Sequence, residues 1–194
     1  MMKKAKVGKL LMDKNNNTPV VELDVEGVNK KVYIWIGACE AWALAMSMEG
    51  FSLERPMTHD LLISVVEALQ GKVEHVVIHS IKDGTFLSNL VIKKYVRNPE
   101  GEGEFREHFI EIDSRPSDCI VIANKLNVPI YVTSEILLEA GISDSVSVNK
   151  KVQEDREKQE FNSFLDNLNI DELRDYMKQN DPSSETDDDE EDGE

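Results

Sequence analysis

Two short phrases sixty residues apart carry the side chains best suited to chemistry, Arg55-Pro56-Met57-Thr58-His59-Asp60 and Asp113-Ser114-Arg115-Pro116-Ser117-Asp118. Each sets an arginine, a proline, a hydroxyl and a carboxylate before an apolar run, Leu61-Leu62 in the first and Cys119-Ile120-Val121 in the second. Proline and Ser/Thr start helices, so each phrase reads as a helix mouth, where unpaired backbone N–H groups and the positive end of the dipole gather. A phosphate or a metal ion can be held at such a mouth.

Asp113 reads as the end of a strand and Asp118 as a first-turn helix residue. Together they can bring two carboxylates to one opening, as divalent-metal hydrolysis of a phosphodiester requires, which makes Mg²⁺ or Mn²⁺ the expected ion. Arg115, with Ser117 beside it, and Arg55 offer planar forks for phosphate oxygens. His59 is the candidate general acid or base and Asp60 a further carboxylate. The plainer account pairs Asp113 with Arg115, uses Asp60 and Asp118 to complement helix dipoles, and packs His59 half-buried. Glu40, in the first turn of the helix after Gly37, admits the same two accounts. Thr58 reads as a helix N-cap, and Asp83 as a turn residue in Lys82-Asp83-Gly84. His75 and His79 share a strand face but lie roughly 13 Å apart at about 3.3 Å per residue, too far to chelate one metal.

The elements that must position these residues follow from periodicity. Strands are expected over 6–12, 20–24 and 31–36, separated by Asn15-Asn16-Asn17 and Glu26-Gly27. A helix over 38–49 presents Cys39, Trp42, Ala43 and Met46 on one face and closes at Gly50. A second helix from Thr58 repeats Leu61, Leu62, Val65, Val66 and Leu69 until Gly71. A meander of three strands, 73–81, 85–96 and 104–112, delivers Asp113 to the second phrase. Helix 116–126, strand 130–133 and helix 134–140 follow. The fold class expected is α+β, a mixed and largely antiparallel sheet with packed helices.

After 1–142 the composition turns polar, so 143–151 is read as a linker. Residues 152–180 are read as a helical hairpin with an apolar stripe of Phe161, Phe164, Leu165 and Leu168. Docking of that stripe on its own domain is favoured, and pairing of subunits into a homo-oligomer is the alternative. Residues 181–194 hold nine acidic residues and no basic one, which leaves −7 of the total −16 on residues 1–180. That tail has no apolar residue to bury and is expected to be disordered; it serves solubility or competes with nucleic acid for a basic groove.

Cys39 and Cys119 form no CxxC pair and read as small buried thiols. No run of eighteen apolar residues and no signal-like start is present, so a cytoplasmic protein without a membrane span is expected. P-loop, dinucleotide, GxSxG, HExxH and zinc-finger spacings are absent, as is any interleaving of basic and aromatic residues. Lys93, Lys94 and Arg97 end a strand and read as a solvated strand end.

Several long phrases in register carry a resemblance: residues 34–50 (IWIGACEAWALAMSMEG), 55–62 (RPMTHDLL), 83–86 (DGTF), 112–132 (IDSRPSDCIVIANKLNVPIYV) and 135–142 (EILLEAGI). Over residues 5–142 the chain resembles the bifunctional nuclease family. That resemblance implies an α+β domain and, from plant members, hydrolysis of both DNA and RNA. Carried over by position, the family's polar residues fall on Glu40, Arg55, Thr58, His59, Asp60, Asp83, Asp113, Arg115, Ser117 and Asp118. The chain departs from the usual alanine by carrying Cys119, and it carries Trp42 where smaller residues are common, which would narrow a nearby pocket. The expectation is a metal-assisted nuclease acting on nucleic acid. The competing expectation is a non-catalytic anion- or protein-binding regulatory module on the same fold, favoured by the acidic balance of the chain.

Overall fold

The computed structural model describes residues 1–13, 16–51, 53–97 and 105–143. The expected hairpin over 152–180 and the acidic tail lie outside the described residues, as does the expected linker apart from Ser143. Among the described residues twelve elements run in the order β1 (Met2–Asp13), β2 (Thr18–Val25), β3 (Lys30–Trp35), α1 (Ala38–Met48), α2 (Thr58–Ala68), β4 (Gly71–Lys82), β5 (Thr85–Arg97), β6 (Phe105–Ser114), α3 (Pro116–Leu126), β7 (Ile130–Thr133), α4 (Ser134–Glu139) and β8 (Ile142–Ser143).

All eight strands form one sheet in the order β6-β5-β4-β7-β1-β2-β3-β8. Only β4 and β7 pair in parallel, through Val76↔Ile130 to Ile78↔Val132, and every other pairing is antiparallel. A parallel pair needs a crossover connection, and α3 lies in the connection between β4 and β7. The four residues of β7 therefore join two antiparallel meanders, β1-β2-β3 and β4-β5-β6. That junction explains why β1 begins at Met2, earlier than its β-prone stretch: Met2↔Thr133 to Ala5↔Ile130 supply the extra ladder. β8, also unexpected, adds a two-residue rung on Lys30 and Lys31.

The core lies between the sheet and the helices. Val21, Leu23, Val32 and Ile34 from the first meander and Val76, Ile78, Leu90 and Ile92 from the second meet Ala41, Leu44 and Ala45 of α1 and Ile120, Val121 and Ile122 of α3. Small residues on α1, Ala41 and Ala45, let it pack against α3, where Asn124 Nδ2 donates to Ser47 Oγ at 2.8 Å. One carboxylate is buried in the first meander: Glu22 accepts from Lys31 Nζ at 2.7 Å and Tyr33 Oη at 2.8 Å. Paired in this way, its burial is tolerated.

Helix boundaries follow local chemistry, with two corrections. Asn127 closes α3 in the left-handed region at φ 52°, and Gly50 does the same after α1 at φ 68°. The N-cap of α2 is Met57, one residue before the expected Thr58, so Thr58 is the first helical residue. The left-handed residue closing α2 is Gln70 at φ 61°, not Gly71. Gly71 starts β4, and its lack of a side chain lets Ile92 approach: a Cβ there would lie 2.9 Å from Ile92 Cγ2 and 3.2 Å from the Val66 carbonyl.

Candidate functional site

The register of β5 and β6 sets the site. Ser88↔Ser114 and Asn89↔Asp113 fix the end of β6, and the Ser88 hydroxyl donates to the Ser114 carbonyl at 2.6 Å. The chain then turns directly into α3, whose N-cap is Arg115 and whose first residue is Pro116. Three helix starts converge here, because α1 and α2 both pack on α3.

At the convergence a chain of charged groups forms. Arg115 grips Asp118 in a fork, Nε to Oδ2 at 2.8 Å and Nη2 to Oδ1 at 3.1 Å. The same Nη2 lies 2.8 Å from Glu40 Oε1. His59 Nε2 lies 3.3 Å from Asp118 Oδ1, so one carboxylate is shared by an imidazole and a guanidinium. Glu40 reaches Arg115 by folding back over the start of α1; a Cβ at Gly37 would collide with its carboxylate. The Arg115 guanidinium is held above its ordinary pKa, first by the hydrogen bond and charge of Asp118 and then, against slight burial, by Glu40. Its side chain is 66 % exposed, and Nη1 has no protein partner among the described residues.

This cluster sits at one end of a groove of about 1210 Å³. Glu40, Thr58, His59, Asp113, Arg115 and Asp118 line that end, whereas Arg55 and Asp60, expected at the same opening, do not, and Trp42 lies on the α1 wall. Apart from Lys94 the rest is apolar: Leu62 and Val65 of α2 with its C-cap Leu69 form one wall, and Leu90, Ile92, Ile110 and Ile112 form the floor. Sequence reasoning did not single out this trench. Its signal was present in α2, whose apolar stripe is too broad for the contacts made by Ile63 and Val66 alone, and α2 buries no residue fully.

The remaining candidates lie off the groove lining. Asp60 turns to Lys125, 2.8 Å away, and accepts the Met57 N–H at 3.0 Å. Burial opposes its ionisation, but those two bonds, with the charges of Lys125 and His59, hold it below the ordinary carboxylate pKa. Asp83 occupies the β4–β5 hairpin at φ 51° beside Gly84 at φ 75°, a two-residue turn that accounts for it. Ser117 is buried in α3, and Arg55 is exposed on the segment before α2, with no ion pair among the described residues. The expected Asp113–Arg115 bridge is replaced by Arg115 with Asp118 and Glu40. Of the two cysteines only Cys119 is buried, where loss of solvent pushes its thiol pKa up; Cys39 is exposed on the groove wall.

As metal donors, Glu40 and Asp118 are both engaged by a guanidinium. Among the described residues no group of three or more His, Cys, Asp or Glu side chains is arranged to hold an ion. No helix among them is long and apolar enough to cross a membrane.

The fold and these phrases define a class. The bifunctional nuclease domain model matches residues 20–145, and the chain belongs to that family. Proteins from two strains of Mycobacterium tuberculosis, each described only as uncharacterized, are 31 % identical over 177 residues, covering 89 % of this chain and 99 % of the relative.

Proposed function

We propose that the protein is a nuclease hydrolysing phosphodiester bonds of DNA or RNA, with the His59–Asp118–Arg115–Glu40 chain as its centre. The observation that carries the reading is the shared Asp118 carboxylate, joined to His59 at 3.3 Å and to Arg115 through two hydrogen bonds. Asp118 fixes the imidazole's orientation, which suits His59 to take and return the proton of an attacking water or a leaving oxygen. Arg115 Nη1, turned away from its carboxylate partners, and the first N–H groups of α3 are the donors for a phosphate oxygen, and exposed Arg55 is a further backbone contact. Asp113 lines the same end of the groove and is the candidate to bind the attacking water. Asp60, Thr58 and Ser117 support this end through the α2 and α3 starts.

A Mg²⁺ or Mn²⁺ ion held by Asp113 and Asp118 would compete with the Arg115 guanidinium for Asp118. Cleavage of single-stranded DNA and RNA is measured with and without Mn²⁺. Asp118→Asn, at unchanged fold, should lower turnover by about 10²–10⁴-fold, as loss of an oriented acid–base group does. The same change frees Arg115, so inorganic phosphate binding should be retained or tightened. Turnover unaffected by Asp118→Asn removes these residues from catalysis. Phosphate binding without turnover in the parent supports the second reading, a non-catalytic anion- or protein-binding module, which the apolar length of the groove and the net charge of −16 favour.

A further inference from the structure

The trench beyond the charged cluster is poorly made for a nucleic-acid backbone. Leu62, Val65 and Leu69 on its wall are all more than two-fifths exposed, and Ile110 and Ile112 on its floor nearly as much. Contiguous apolar surface on this scale marks an interaction site. At about 1210 Å³ it exceeds the usual range for a small-molecule pocket, about 300–1,000 Å³. Its polar lining is confined to Lys94 and the cluster end, so its apolar length offers no group to orient a small ligand. An extended apolar face fits it better.

We propose that this trench seats the chain's own residues 161–168, with Phe161, Phe164, Leu165 and Leu168 presented as one helical face. Their spacing puts all four on one stripe about two turns long, which would otherwise expose two aromatic and two aliphatic side chains. The reach suffices. The described chain leaves from Ser143, paired to Lys30 on the strand next to β8, at the sheet edge opposite β6. From β8 to β5 is six strand spacings, about 29 Å at ~4.8 Å each, whereas the eighteen residues from 143 to 161 extend to about 59 Å at ~3.3 Å each. The segment also accompanies the domain in a relative. The family model stops at residue 145, but the match to the mycobacterial protein leaves only 11 % of this chain uncovered, about 21 residues, and so must run through residues 161–168.

A second copy is the competing occupant, and the sheet edge argues against one joined by pairing of β6 strands. If two β6 strands paired about a two-fold axis, the registers overlapping most fully, centred on Phe109 or Ile110, would set Glu107 opposite Glu111 or Asp113. Like charges directly opposite destabilise such a pairing. The proposed occupant instead fills the trench within one chain.

Cys39 reports on the trench because it lines the wall, while Cys119 is buried and serves as a folding control. The full chain is treated with a maleimide across a hundredfold range of protein concentration. Cys39 in the parent should react at least tenfold more slowly than in Phe164→Asp or Leu168→Asp, at a rate independent of protein concentration, with sedimentation showing a monomer. Val65→Asp, on the trench side, should give the same acceleration, and its combination with Phe164→Asp should add nothing further. If an aspartate variant lets Cys119 react, it has unfolded, and Phe164→Ala is read instead, with the same direction expected. Equal Cys39 rates in the parent and a folded variant overturn the proposal. So does protection that grows with protein concentration, which assigns the trench to a second copy.

Discussion

Replacing Arg115 by methionine removes the one cation shared by Glu40 and Asp118 while keeping most of its aliphatic stem. The parent geometry has three short contacts, two to Asp118 at 2.8 and 3.1 Å and one to Glu40 at 2.8 Å. Two unit charges about 4 Å apart interact by about 4 kcal/mol at an effective dielectric of 20 and about 1 kcal/mol in water. With 66 % of the Arg115 side chain exposed, solvent screening sets the scale near the lower figure, so about 1 kcal/mol is expected for the forked Asp118 pair and less for Glu40. Removing the cation also leaves two acids facing one another, with side chains only 18 % and 30 % exposed. Arg115→Met should therefore cost about 1–2 kcal/mol at low salt, a fall in Tm of roughly 2–8 °C at about 2–4 °C per kcal/mol. The assay is urea unfolding of the parent, Arg115→Met, Asp118→Asn and the double variant, in 50 mM and 1 M NaCl. A coupling of about 1 kcal/mol is expected at low salt, shrinking at high salt. Coupling below about 0.2 kcal/mol at low salt would show that the fork contributes nothing to the fold. Coupling that does not respond to salt would refute the screening argument.

Gly71→Ala should destabilise by about 1–3 kcal/mol, because the new Cβ meets Ile92 and the Val66 backbone and cannot be relieved by a side-chain rotation alone; a Tm equal to that of the parent would contradict it. Asp60, held below its ordinary pKa, contributes stability that is present above about pH 3.9 and is lost as pH falls through its folded value. Asp60→Asn should thus cost about 0.5–1 kcal/mol at pH 7, given its partial exposure, and the gap between the two stability curves should narrow as pH falls through the acidic range and Asp60 takes up its proton; a gap constant with pH would refute the linkage. Cys119, buried and with its thiol pKa raised by that burial, should react with maleimide only through unfolding, so its rate should climb with urea as stability falls; fast labelling in buffer would contradict its place in the core.

Much of the secondary structure was legible because its causes are local. Pro116 starts α3 and Asn127-Val128-Pro129 ends it, so helix 116–126 and strand 130–133 fall where the sequence puts them. Asp83-Gly84 similarly defines the β4–β5 hairpin. The left-handed residue after α2 was less legible, because Gly71 is the better conformational candidate. Packing decided otherwise: Gly71 is spent on the close approach of Ile92, and Gln70 takes the positive φ.

By itself, the sequence determined that two helix mouths would each carry an arginine, a hydroxyl and a carboxylate, and that an α+β sheet would hold them. Residue type and short-range spacing are enough for that. Only the tertiary structure decided partners. Arg115 meets Glu40 because α1 lies against α3, and Asp60 meets Lys125 because α2 also packs there. The trench is likewise nonlocal, since its floor comes from the β5–β6 register and its walls from the separate helices α1 and α2. Side-chain pairing is a property of neighbours brought together by the sheet, and no stretch of chain encodes those neighbours alone.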